Sequence, residues 1–74
     1  MMNEAKLYIS DAIKEIKKAI HLIIDKLDIL KHVAVDFRKP RLLSAALHLE
    51  YIMRDFFNRL TDLEDLVQRK EDLA

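Results

Sequence analysis

Apolar residues recur through the first half of the chain at Ile9, Ile13, Ile16, Ile20, Ile23, Leu27, Leu30, Ala34 and Phe37, in steps that alternate four and three. That spacing is the stripe of an amphipathic helix packed against another helix. Asn3 suits an N-cap, and Glu4 puts a carboxylate in the first turn, where the helix dipole favours it. No proline or glycine interrupts the stretch that follows, so the pattern predicts a helix over about 3–36. Leu22, Ile29 and Val33 add an apolar strip on a different face. A helix in a simple pair would leave that strip wet, so a second contact surface is expected.

The pattern breaks at Asp36-Phe37-Arg38-Lys39-Pro40. Lys39 precedes a proline and is pushed away from helical dihedrals, while Pro40 suits the first turn of a new helix. If the first stripe ran straight on, Arg41, Ser44 and His48 would lie in it. The observed stripe is Leu42, Ala46, Leu49, Met53, Phe56, Leu60, Leu63 and Val67, displaced by one residue, or about 100° of rotation. A reversal of the chain accounts for both the break and the displacement. One helix kinked at Pro40 is the alternative.

Reversal predicts a second helix over about 40–72, folded back on the first around a turn at about 36–40. Folding about residue 38 pairs Ala34 with Ala46, Leu30 with Leu49, Leu27 with Met53 and Ile23 with Phe56. It also pairs Ile20 with Leu60, Ile16 with Leu63 and Ile13 with Val67. Small faces small beside the turn, and the largest ring sits midway along, an agreement between local and global pattern that marks a real pairing. Ala45, Ile52, Leu66 and Leu73 widen the second stripe on one side, and Leu43 and Phe57 on the other. Glu50–Arg54, Asp55–Arg59 and Asp65–Arg69 lie off it, each with the acid four residues before the base, as a solvated helix face prefers. The fold class is therefore all-α: a single domain over 1–74, an antiparallel two-helix hairpin.

Composition decides what such a hairpin needs. A chain of 74 residues buries a modest fraction of its surface, and small domains usually call on disulfides, a metal or another subunit. There is no cysteine, and the three histidines are scattered, which leaves association. Two hairpins packed face to face would make a four-helix bundle and cover the extra strips. The expected self-association residues are Ile16, Ile20, Ile23, Phe56, Leu60 and Leu63, with Leu22, Ile29, Ile52 and Phe57 widening the contact.

Charge narrows the chemistry. Thirteen basic and thirteen acidic side chains cancel, so nothing in the total draws the chain to nucleic acid or an anionic membrane. The distribution is polar: Lys31, Arg38, Lys39 and Arg41 gather at the turn, whereas Asp62, Glu64, Asp65, Glu71 and Asp72 crowd the open end. Those four cations are the candidate contacts for an anionic partner, and a basic tip also suits the C-terminus of the first helix. Absence of glycine rules out a GxGxxG or P-loop phosphate cradle. Asp28, His32 and Asp36 share a helix face, with His48 able to approach, but such a row is more often a charge ladder than a metal site. Ser10, Ser44 and Thr61 lack a His–acid pair around them, so no enzyme, cofactor or metal is expected. No run of about 20 apolar residues is present, and Met1-Met2-Asn3-Glu4 lacks the layout of a secretory leader, which makes a cytoplasmic protein the expectation.

Val35-Asp36-Phe37-Arg38-Lys39-Pro40 resembles the H-box of sensor histidine kinases, where His, an acid, an apolar residue, a base and a proline follow in that order. Such kinases also dimerise through a four-helix bundle. Val35 stands where that family has its phosphoacceptor, so the resemblance implies no phosphotransfer, and it spans six residues only. The functional expectation is a small non-enzymatic protein-interaction module: a homodimeric regulator, adaptor or assembly protein. The alternative is an RNA- or DNA-binding bundle acting through its basic turn.

Overall fold

The computed structural model describes residues 2–69 as two α-helices, α1 (Met2–Asp36) and α2 (Pro40–Gln68), lying side by side. Lys17 meets Glu64 near one end and Lys31 meets Glu50 near the other, so the helices run antiparallel. The result is a rod of 54 × 16 × 10 Å. The chain reverses between Asp36 and Pro40 and is not a kinked continuous helix. The helix already includes Met2, so Asn3 lies within α1 and is not its cap. α2 closes with Arg69 in extended backbone, its N–H donating to the Leu66 carbonyl. The expected continuation of the second helix to Asp72 and the place of Leu73 lie outside the described residues.

The reversal takes three residues and no glycine. Phe37 N–H completes the last regular turn onto the Val33 carbonyl at 2.9 Å. Lys39 N–H then donates to Ala34 O at 2.7 Å and Arg38 N–H to Val35 O at 3.2 Å, the paired closing bonds of a Schellman motif. Such a motif needs a left-handed residue at the position after the cap, and Arg38 supplies it with φ 53°. Lys39 caps α2 through its carbonyl, which accepts from Leu43 N–H at 3.0 Å, and Pro40 follows at the first helical position.

Between the helices the expected pairing holds in register but divides in two. Ile13, Ile20, Leu27 and Ala34 of α1 are buried, as are Ala46, Leu60 and Val67 of α2, with Met53 half-buried. These recur every seven residues. The members of each stripe that lie between them, such as Ile23 and Phe56, face outward. A helix touching one neighbour covers one line of its surface and the positions flanking it, and here the covered flank is the other one. It holds Lys17, Ile24 and Lys31 on α1, and Leu43, Glu50, Phe57 and Glu64 on α2, all half-buried. Ile24, Met53 and Phe57 pack against the cluster formed by Ile13, Ile20, Leu60 and Val67.

The turn yields a direct test. A left-handed non-glycine residue is disfavoured by about 1 kcal/mol relative to glycine. Arg38→Gly is expected to raise unfolding free energy by about that amount in urea titration, and Arg38→Val to lower it, because branching at Cβ worsens the clash.

Candidate functional site

The rod has two unlike long sides. On one, charges and a ring close the groove between the helices. Lys17 bridges to Glu64, and its ammonium lies 4.8 Å from the centroid of the Phe57 ring. His21 meets the same ring edge-on at 5.0 Å. One stretch nearer the turn, Lys31 Nζ sits 2.9 Å from Asp28 and 2.5 Å from Glu50 Oε1. That Glu50 oxygen is shielded from water, and Lys31 is what meets it. Arg54 takes the other Glu50 oxygen at 3.2 Å.

The shared ammonium shapes the acid–base behaviour of this cluster. Hydrogen bonding from Lys31, and then from Arg54, holds the Glu50 carboxyl below its ordinary value against the opposing effect of desolvation. Lys31 likewise lowers Asp28, and the two carboxylates together raise Lys31. Farther along, Asp55 holds Arg59 at 2.9 Å and raises it. Of the three acid-before-base pairs, Glu50–Arg54 and Asp55–Arg59 form. Asp65–Arg69 does not form among the described residues, because the backbone leaves the helix at Arg69.

The opposite side is open and apolar. Ile16, Ile23, Leu30, Leu42, Leu49, Phe56 and Leu63 are each 39–47% exposed, and they run the length of the rod. Ile52 and Leu66 continue the face around α2. Leu22 and Ile29 extend it around α1 and are more exposed still, at 60% and 55%. At the turn Phe37 stands 69% exposed.

Of the residues expected to mediate self-association, Ile16, Ile23, Leu22, Ile29, Ile52, Phe56 and Leu63 thus come together on this face or its edge. Ile20 and Leu60 do not: they are buried at 2% and 5% between the two helices of the same chain. Phe57 also lies elsewhere, on the charged side under Lys17 and His21. Among the candidate anion contacts, Arg38, Lys39 and Arg41 are exposed at the tip, whereas Lys31 is engaged by Asp28 and Glu50. The Asp28–His32–Asp36 row does not converge: His32 Nδ1 contacts the Asp28 backbone carbonyl at 2.7 Å, and the Asp28 side chain turns to Lys31. No group of three potential metal ligands gathers among the described residues. Glu71 and Asp72, counted toward the acidic end, lie outside those residues. No helix among the described residues is long and apolar enough to cross a membrane.

The cross-helix pairs Lys17–Glu64 and Lys31–Glu50 were legible once the register was fixed, because opposite charges stand at matching heights one step beyond the buried line. The ion pairs predict a pH window. A carboxylate lowered in the folded state adds stability that is complete above its unfolded value, about 4.3 for glutamate, and is lost as pH falls through the folded value. Lys31, being raised, adds stability that persists until pH passes the ordinary lysine range. Thermal stability is therefore expected to stay flat from about pH 7 to about pH 5 and to drop below about pH 4. Lys31→Met should reduce that acid slope in a melting series. An unchanged slope would remove the cluster as its source.

No family model, no curated protein and no solved structure matches the chain.

Proposed function

We propose that the hairpin is a non-enzymatic protein-interaction module that works as a homodimer, its open apolar face packed on that of a second copy to complete a four-helix bundle. In this reading the protein is a small regulator, adaptor or assembly factor whose business is with other proteins. The observation that carries it is the open face itself. The chain exposes 6095 Å² at a mass of 8.8 kDa, whereas a compact monomer of that mass exposes about 4,800 Å². The excess, about 1,300 Å², is enough for each partner's share of a standard interface, about 800 Å². Self-pairing also suits the face, because an apolar stripe that runs the length of the rod can bury itself against its own copy. Exposed singly, such a stripe would favour aggregation.

The mass in solution tests this. Sedimentation equilibrium is expected to give twice 8.8 kDa at micromolar concentration. Phe56→Asp should weaken association more than tenfold, since it forfeits about 2 kcal/mol of aromatic burial and puts a charge in the contact. Retained helical circular dichroism at high concentration would separate that loss from unfolding. A monomeric mass for the unaltered chain overturns the reading.

A second reading has one observation in its favour: Arg38, Lys39 and Arg41 are exposed at the tip, and none of them forms an ion pair among the described residues. In that reading the bundle binds RNA or DNA through phosphate contacts. Filter binding of a mixed-sequence RNA and DNA across a salt series tests it. The reading expects affinity that falls steeply with salt and is abolished by Arg38→Glu with Lys39→Glu. Affinity indifferent to that reversal removes it.

A further inference from the structure

The open faces of two copies can meet in two ways, with the turns at the same end of the bundle or at opposite ends, and the geometry points to opposite ends, with α1 lying on the α1 of the second copy. This rests on the homodimer proposed above and specifies it. Two independent features carry it.

The first is that the face is lopsided. On α1 the residues one before Ile23 and Leu30 are Leu22 and Ile29, which prolong the apolar surface past the edge of the face. On α2 the face carries on to Ile52 and Leu66, and beyond them the residues one before Leu49, Phe56 and Leu63 are His48, Asp55 and Asp62, which end it. With the turns at the same end, α1 lies beside the partner copy's α2, and the Leu22–Ile29 edge abuts a charged one. Both arrangements are two-fold and isologous, but with the turns at opposite ends α1 lies beside α1. Each apolar edge then meets its own copy. The charged edges of α2 also meet, and there Asp55 is already paired with Arg59 at 2.9 Å.

The second feature is charge. Arg38, Lys39 and Arg41 mark the turn, and Asp62 and Asp65 lie toward the other end of α2, where Glu64 is already held by Lys17. Turns at the same end would set two basic tips side by side. Turns at opposite ends set each basic tip beside the partner copy's acidic end, and opposite charges across an interface fix orientation even where they add little affinity.

Distance measurement distinguishes the two. The chain has no cysteine, so a single nitroxide at Lys39→Cys, exposed at the tip, reports one inter-copy distance by pulsed dipolar spectroscopy. Opposite ends give a separation on the scale of the 54 Å rod. Same ends give about 20 Å or less, two helix diameters. In parallel, a nitroxide at Leu22→Cys, near the middle of α1, is expected to give a much shorter inter-copy distance than one at Lys39→Cys. A dimeric mass with a short Lys39→Cys distance overturns the orientation and leaves the homodimer standing. A monomeric mass with no dipolar signal overturns both.

Discussion

Two helices in contact share a single line. That constraint governs this molecule. Along the line, Ile13, Ile20, Leu27 and Ala34 meet Ala46, Met53, Leu60 and Val67, and only these positions, with one flank, can be covered by a lone partner helix. The buried side chains are aliphatic and modest in size, and the line is narrowed at its turn end by Ala34 and Ala46. Aromatic rings, which carry the largest apolar surface, lie off the line. Phe57 lies under a lysine on the charged side, and Phe56 and Phe37 stand in the open. The hairpin is thus shaped by its first interface, yet much of its apolar area lies outside it.

The covered flank does something the buried line cannot. Aliphatic contacts at a spacing of seven tolerate a slip by seven, because each residue would find another of similar kind. The flanking charges do not. In the observed register Lys17 faces Glu64, Ile24 faces the level of Phe57, and Lys31 faces Glu50. A slip of one repeat in either direction would take a lysine off glutamate and set a glutamate against Ile24. The single pairing that matches charge to charge and ring to aliphatic is the one adopted. Polar groups at a coiled-coil contact commonly serve this purpose, setting register where hydrophobicity alone is indifferent. These half-buried pairs add modest stability, and their larger role here is to exclude alternatives.

Much of this was readable beforehand, for identifiable reasons. The chain reversal followed from the one-residue displacement of the second stripe, and the register from matching alanines to alanines beside the turn. What the pattern left open was the rotation of each helix. A stripe spaced four and three offers two adjacent lines, and nothing within one helix says which of them its neighbour will take. The answer lay in the charges: only by turning toward Lys17 and Lys31 on one helix and Glu50 and Glu64 on the other can both pairs close. That rotation moved Ile20 and Leu60 inside and sent Ile16, Ile23 and Leu63 out, and so divided the expected contact residues between the buried line and the open face. The place of the turn was legible from Pro40, but its conformation was hidden, because its left-handed position carries arginine where glycine is the usual signal.

The division of labour between the two flanks has an evolutionary corollary. Residues that fix the internal register and residues that meet the outside world occupy different positions of the same repeat. In the proposed homodimer, substitutions at Ile23, Leu30, Leu49 or Phe56 would therefore alter the choice of associate without disturbing how the chain folds on itself. Duplicated copies of such a hairpin could diverge into mutually exclusive pairs, each keeping an identical interior while rewriting its exterior address.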